Sequence, residues 1–300
     1  MSKLNSAVYV EGYLYPATAP ASQPVSSTIS QLQQSGFVTA ILGLFHIGRD
    51  YSISPTQIMG DIYFNDTLVV SNGSYVGDPG WPALINGMAG GSVQRVCASI
   101  GGGGVMDYET IQKIYAGNGN SFAGTNMERN FIVLRKTFPS ISIIDMDCEE
   151  TYDQDSFVAF CRMLIGLGFG ITFCPYTYQS FWTGSLAALN ASNPGAVKWW
   201  NLQCYDGGAG NDPANWATAI TQAIPGFSTG GFILAGDWTN DEPSGVQALM
   251  GSFKNESSVG GGFIWTLDQI IEQQPKTPLA SMKAYVNAIS VGLGNVLLVA

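Results

Sequence analysis

Three acidic side chains, Asp145, Asp147 and Glu149, alternate with Met146 and Cys148 directly after the apolar run Ile141-Ser142-Ile143-Ile144. Alternation at period two predicts a strand, and residues two apart on a strand share one face. Three carboxylates therefore line up roughly 7 Å apart. Like charges that close raise one another's pKa. The chemistry this suits is general acid catalysis, which needs a carboxylic acid still protonated near neutral pH. Glu149, nearest the strand's C-terminal end, is the candidate acid. Asp147 raises its pKa and shuttles a proton between its neighbours, and Asp145 modulates Asp147. The alternatives are a solvated strand end or a divalent-cation site.

Other stretches carry less specific signals. His46 is the lone histidine, and no nucleophile elbow accompanies it, so Ser-His-Asp or Cys-His catalysis has no support. Gly101 to Gly104 lack the Gly-Lys-Ser/Thr of a phosphate loop. They suit close approach of backbone to a ligand instead. The five cysteines, Cys97, Cys148, Cys161, Cys174 and Cys204, match no zinc spacing and read as buried free thiols in a reducing compartment. Cys148, out of phase with the acids, is expected to face away from them.

These residues need elements to hold them. Eight apolar, Gly-punctuated runs recur: Ala7 to Tyr13, Phe37 to Phe45, Gln94 to Gly102, the acidic stretch, Gly170 to Pro175, Val197 to Tyr205, Gly231 to Gly236 and Gly262 to Trp265. Near-continuous hydrophobicity fits parallel strands buried on both faces. Helical patterns separate most of them: Gln112 to Tyr115, Asn130 to Phe138, Gln154 to Leu167, Pro213 to Ile224, Pro243 to Phe253 and Pro278 to Ile289. Eightfold strand–helix alternation predicts a single (β/α)8 TIM barrel over residues 1–300, with an open doubly wound sheet as the alternative. Asp61 to Tyr75 read as a small β excursion after the second strand, placed to wall one side of a cleft. In such barrels the active site lies at the C-terminal ends of the strands.

Composition narrows the partner. Charged residues are 11% of the 300 and the net charge is −10, with no Lys/Arg cluster. Nucleic acid and anionic membranes are poor partners for this surface, and a neutral sugar is a compatible one. No run reaches the ~18 apolar residues of a membrane span. Met1 to Ser6 lack the apolar core of a signal peptide, so synthesis in the cytoplasm and release by a non-classical route are expected. Ala288 to Ala300 carry no charged side chain, which suits either a final packing segment or a docking tail for a protein partner.

Asp145-x-Asp147-x-Glu149 resembles the end of the acidic signature of family 18 glycoside hydrolases, the chitinases and endo-β-N-acetylglucosaminidases. Ser99-Ile100-Gly101-Gly102 is similar to that family's Ser-x-Gly-Gly motif, and Gln203-Cys204-Tyr205-Asp206 to its Gln/Met-x-Tyr-Asp/Asn motif. Gly261 to Trp265 resembles the eighth-strand segment that ends in a Trp under the sugar. The resemblance runs through the whole chain in order and spacing. It implies hydrolysis of β-1,4 bonds in N-acetylglucosamine glycans, chitin or chito-oligosaccharides first, N-glycan cores or peptidoglycan-type glycans second. The implied mechanism is substrate-assisted and retaining, with no metal or other cofactor. By the same resemblance Asp147 accepts from the acetamido N–H, Tyr205 donates to its oxygen, Glu149 moves the proton and Trp265 stacks on the sugar. Gln203, Asp206, Tyr13, Ser99, Gly101 and Gly102 complete the implied sugar site. One departure stands out: Ser142 occupies the position of a further Asp that lies deep in the family, so an altered proton relay is expected. A non-catalytic glycan-binding barrel or a structural component of a larger assembly is the competing class.

Overall fold

The computed structural model describes residues 5–48 and 59–295. The chain opens with β1 (Asn5–Val10), α1 (Val25–Ser35) and β2 (Thr39–Ile47). Three short strands follow, β3 (Ile62–Phe64), β4 (Thr67–Ser71) and β5 (Ser74–Tyr75), and then α2 (Trp81–Asn86). The middle of the chain comprises β6 (Arg95–Gly101), α3 (Asp107–Gly117), α4 (Asn126–Thr137), β7 (Ile141–Asp147), α5 (Gln154–Gly166), β8 (Gly170–Phe173) and α6 (Gln179–Ser192). Last come β9 (Val197–Gln203), α7 (Pro213–Ala223), β10 (Ile233–Trp238), α8 (Glu242–Ser252), β11 (Val259–Trp265), α9 (Leu267–Gln273) and α10 (Pro278–Gly292).

Eight parallel strands close on themselves in the order β1-β11-β10-β9-β8-β7-β6-β2, with β1 pairing to both β11 and β2. The fold is a (β/α)8 barrel, and the open sheet is excluded by that closure. Two apolar layers result. Inward residues such as Ala7, Tyr9, Ile41, Cys97, Ile143, Trp199 and Phe263 fill the barrel, and the larger layer lies between strands and helices. At the closed end the Arg95 guanidinium lies over the Trp199 ring at 5.4 Å and donates to Asn5 and Thr39. All five cysteines are buried free thiols, and Cys148 belongs to the outer layer as its phase predicts.

Helices Val25–Ser35, Trp81–Asn86, Gln179–Ser192 and Leu267–Gln273 are not legible as apolar periodicity. Gln179–Ser192 buries Phe181, Trp182, Leu186 and Leu189, but Ser, Thr, Asn and Gly dilute the stripe. The better-marked helices have the caps their sequences suggest. Asp153 accepts from Ser156 N–H and Asp212 from Ala214 N–H, each satisfying an orphan donor of the first turn.

The β excursion is where expected, yet it does not wall the cleft. Its first strand pairs antiparallel with Phe45–Ile47, and its next two turn outward onto α4, where Gly73 N–H donates to Asn130. Phe64 packs in the outer layer with Tyr15, Phe45 and Trp81. An aromatic face of that size is buried against the helices rather than left at a wet rim. One residue of the excursion does reach the site indirectly. Asn65 exchanges two hydrogen bonds with the backbone of Leu44, which borders the central cavity. At the C-terminus, Ala288 to Gly292 complete α10, which packs on α8 and α1. Residues 296–300, the rest of the uncharged tail, lie outside the described residues.

Gly236 shows how tightly the barrel is filled. A Cβ there would sit 2.0 Å from Cζ of Phe263. Gly236→Ala is expected to cost about 1–3 kcal/mol by overpacking, read as a lower Tm in calorimetry. An unchanged Tm would contradict this packing.

Candidate active site

Asp145 and Asp147 end β7 on its inner face, while the strand stops at Asp147 and leaves Glu149 in the loop above. Glu149 is therefore one step past the strand rather than on it, and half-buried at the rim. Asp145 is wholly buried and takes four hydrogen bonds from four different strands. Tyr9 Oη (2.7 Å) and Ser99 Oγ (2.9 Å) donate to Oδ2; Thr172 Oγ1 (2.6 Å) and Asn201 Nδ2 (2.9 Å) donate to Oδ1. Burial raises its pKa, and these four donors oppose the rise. Both oxygens are occupied by donors, an arrangement built for a carboxylate rather than for a cation ligand.

Gln203 holds the other two acids together. Its Nε2 donates to Asp147 Oδ1 at 3.2 Å and to Glu149 Oε1 at 3.1 Å. Burial pushes Asp147 well above the usual carboxylate range, and the charges of Glu149 and Asp145 push it further. Burial also raises Glu149, against hydrogen bonds from Gln203 and Asp147. Both carboxyls are thus shifted toward the protonated form, which suits groups that must hold and deliver a proton.

Above this triplet opens a cavity of about 360 Å³. Asp147, Glu149, Gln203, Tyr205, Asp206 and Trp265 line it together with Tyr9, Leu44, Gly102, Gly103, Cys174, Tyr176 and Gly207. Trp265 leans on Tyr9 at 5.4 Å between centroids. The Tyr205 ring is stacked on Trp238 at 5.8 Å and meets Phe263 edge-on. Its hydroxyl makes no hydrogen bond to protein among the described residues, so it is a donor available to a ligand. Burial keeps that hydroxyl protonated by raising its pKa well above the usual value.

Three sequence-derived sugar contacts sit elsewhere. Tyr13 does not line the cavity. Strand β1 stops at Val10 and the chain turns through Gly12–Leu14, so the inward phase is lost before Tyr13, which packs against the outer layer. Ser99 is buried beneath the cavity, on Asp145. Gly101 contacts no cavity; its φ of +116° and a would-be Cβ 2.0 Å from the Asp147 carbonyl show that it lets β6 and β7 approach. Gly102 does line the cavity and donates its N–H to that same carbonyl. Ser142 is solvent-exposed, at a shift of the β6–β7 register. It makes no hydrogen bond to Asp145, Asp147 or Glu149 among the described residues and faces away from the cavity. His46 is buried and paired with Asp107 at 2.7 Å, outside the cavity.

Sequence reasoning missed Tyr9, Thr172, Cys174 and Asn201. Each is an inward residue at the C-terminal half of a strand or just past it, and strand phase alone was the available signal. Cys174 lies against the acids, 3.3 Å from Tyr9 Oη and 3.6 Å from Gln203 Nε2.

No protein-family model and no curated protein sequence matches this chain. Solved structures do resemble it. One is the active domain 2 of a thermostable chitinase from Pyrococcus furiosus, solved as catalytic-site mutants with chito-oligosaccharides. It has 11% identity and a TM-score of 0.58 over 97% of this chain and 95% of that one. Another is tryptophan synthase from M. tuberculosis, with 9% identity and a TM-score of 0.51 over 96% and 92%. At such identities the likeness is one of fold alone. Both fit the closed eight-stranded barrel.

Proposed function

We propose that this protein is a retaining glycoside hydrolase that cleaves β-1,4 bonds next to N-acetylglucosamine, with chito-oligosaccharides as its first substrate class. One observation carries the reading: the Asp147 and Glu149 carboxyls, bridged by Gln203, and a Tyr205 hydroxyl without a protein hydrogen-bond partner among the described residues face one cavity that Trp265 also lines. A two-carboxylate retaining mechanism needs an ionised nucleophile about 5 Å from the acid. Burial and the charges of Glu149 and Asp145 raise the Asp147 pKa and disfavour its ionised form, so it is poorly suited to that role. A 2-acetamido group can supply the nucleophile instead.

In this mechanism the sugar stacks on Trp265, its acetamido oxygen accepts from Tyr205 and its N–H donates to Asp147. A proton held by the Asp147–Glu149 pair passes through Glu149 to the glycosidic oxygen. The acetamido oxygen attacks C1 as the C1–O bond breaks, giving an oxazolinium ion and the free alcohol. The cation's positive charge favours Asp147 as a carboxylate. Glu149, now ionised, takes a proton from water as that water attacks C1, and the oxazolinium ring opens with net retention. Asp145, fixed by four donors, keeps negative charge beneath Asp147 throughout. N-glycan cores and peptidoglycan-type glycans are the second substrate class.

The test is product analysis. Incubation with chito-oligosaccharides and a high-mannose glycopeptide, followed by mass spectrometry and early-time NMR of the anomers, should show cleavage with β-products first. Binding without cleavage of any such glycan would leave a glycan-binding barrel as the reading. Tyr205→Phe should lower kcat roughly 10²-fold with little change in KM, because the bond to the acetamido oxygen strengthens as charge develops. Equal changes in kcat/KM and in binding would remove Tyr205 from that role.

A further inference from the structure

Behind the stacked Tyr205 and Trp238 rings lies a buried carboxyl that the chemistry above does not use. Ile233 and Ala235 of β10 face the outer layer, so Asp237, two residues on, also faces the helices, while Trp238 turns toward the barrel interior. Asp237 is 0% exposed. Its Oδ1 accepts the Trp238 N–H at 2.9 Å, and no hydrogen-bond partner reaches Oδ2 among the described residues. Asp145 is the opposite case, with four donors shared between its two oxygens. A carboxylate with one bare buried oxygen is costly, so the fold favours the neutral acid at Asp237.

The charges of this corner act in the same direction. Asp241 ends the 3-10 turn Thr239–Asp241 that follows Trp238. Burial first, and then the Asp241 charge, raise the Asp237 carboxyl to about 7 against the hydrogen bond from the Trp238 N–H. Cys204 with Asp212 from the β9 side, Glu242 at the start of α8 and the Tyr285 hydroxyl of α10 are the other titratable groups around it. No Lys or Arg forms an ion pair with Asp237 among the described residues.

Strand register ties this carboxyl to the site. Across β10 and β11, Asp237 pairs with Ile264 and Trp238 with Trp265. The Trp238 ring backs the Tyr205 ring at 5.8 Å, with 27° between planes. The turn beyond Trp238 is fastened from outside, because Thr239 Oγ1 donates to Gln269 and Tyr285 Oη donates to the Thr239 carbonyl at 3.3 Å. Trp238 is thus held between that turn and the Asp237 carboxyl. The Tyr205 hydroxyl has no protein hydrogen-bond partner among the described residues, so the packing of its ring on Trp238 and Phe263 is what aims it.

We infer that Asp237 is a positioning residue: its uncharged carboxyl, holding the Trp238 amide, keeps Trp238 against Tyr205 and so aims the hydroxyl that meets the acetamido oxygen. This rests on the proposed glycosidase reading and deepens it. Once ionised, Asp237 is drawn toward water and away from Asp241. The Trp238 amide moves with it, and the Tyr205 hydroxyl leaves its line. The resulting loss of rate is partial and levels off, which separates it from the limb set by the general acid.

Two variants and two readouts test this. Asp237→Ala removes the acceptor and should lower kcat on chito-oligosaccharides about tenfold at about pH 6, with KM within about twofold of the parent, since misplacing a positioned group costs rate more than binding. Asp237→Asn still accepts the Trp238 N–H and cannot ionise. It should recover kcat to within about threefold of the parent and lose the partial fall through about pH 7. The second readout needs no substrate. Near-ultraviolet circular dichroism, which senses the Tyr205–Trp238 stack, should change in the parent with a midpoint near pH 7 and stay constant in Asp237→Asn. Equal losses of kcat in both variants, or a dichroism transition that persists in Asp237→Asn, would overturn the assignment. Should Asp237→Ala fail to fold, or the parent cleave no glycan, the dichroism titration decides alone. A transition present in the parent and lost in Asp237→Asn upholds the positioning role, and a parent without one refutes it. Absence of cleavage by itself counts against the hydrolase reading.

Discussion

Glu149→Gln should lower kcat on chito-oligosaccharides by about 10³-fold while changing binding little, since a positioned general acid typically supplies 10²–10⁴. The substitution is nearly isosteric. Its carbonyl can still accept from Gln203 Nε2, so the hydrogen bond that seats Glu149 persists. What disappears is the proton. The loss should shrink for a dinitrophenyl leaving group, which departs without protonation. The parent's pH profile reports the same group. Glu149 must be protonated in the first step, and burial raises its pKa, so activity is present below that raised value and falls as pH rises through it. The alkaline limb of kcat/KM should then lie above the ordinary carboxylate range and vanish from the variant's residual activity. Residual turnover above a tenth of the parent's on an unactivated glycan would reject Glu149 as the acid.

Asp147→Asn should slow turnover roughly 10²-fold yet stabilise the fold at alkaline pH. Asn still accepts an N–H, but it cannot face the oxazolinium with negative charge or share a proton with Glu149. The stability effect has a definite sign. In the folded protein Asp147 titrates well above its ordinary value, through burial and the charges of Glu149 and Asp145. A raised carboxyl contributes stability that is complete below the unfolded pKa and is lost as pH rises through the folded one. Asn mimics the protonated form and does not ionise. Its Tm advantage should therefore be small near pH 4 and grow to a few degrees at about pH 9, followed by calorimetry across that range. A constant Tm difference at every pH would show that Asp147 is not held protonated by the fold.

Much of this architecture is legible in the chain. The parallel strands are buried on both faces, so their apolar runs stand out, and the acidic alternation at 145, 147 and 149 marks the inward face of one of them. Val25–Ser35 and Gln179–Ser192 are hidden because small polar residues interrupt their apolar stripes, and Trp81–Asn86 and Leu267–Gln273 because they are too short to show a period. At the site, residues inside or next to a motif come through best: Asp147, Glu149, Gln203, Tyr205, Asp206, Gly102 and Trp265 all border one cavity. Tyr13 fails because extrapolating strand phase past Val10 ignores the turn at Gly12. Ser142 comes out exposed to solvent, because sequence spacing does not reveal the register shift beside it. Thr172 and Asn201 escape notice since a single hydroxyl or amide on a strand carries no pattern; only closure of the barrel brings them to Asp145.

That closure has a consequence for how the chain acquires its structure. The donors to Asp145 come from β1, β6, β8 and β9, and the Tyr9 contact spans 136 residues of sequence. Until the first strand docks beside the last, a desolvated carboxylate on β7 lacks part of its solvation by protein. Its burial is therefore a late, cooperative event, dependent on pairings of very high contact order. A partly assembled chain would keep this carboxylate wet, so that the polar floor of the cavity is completed together with the final seam.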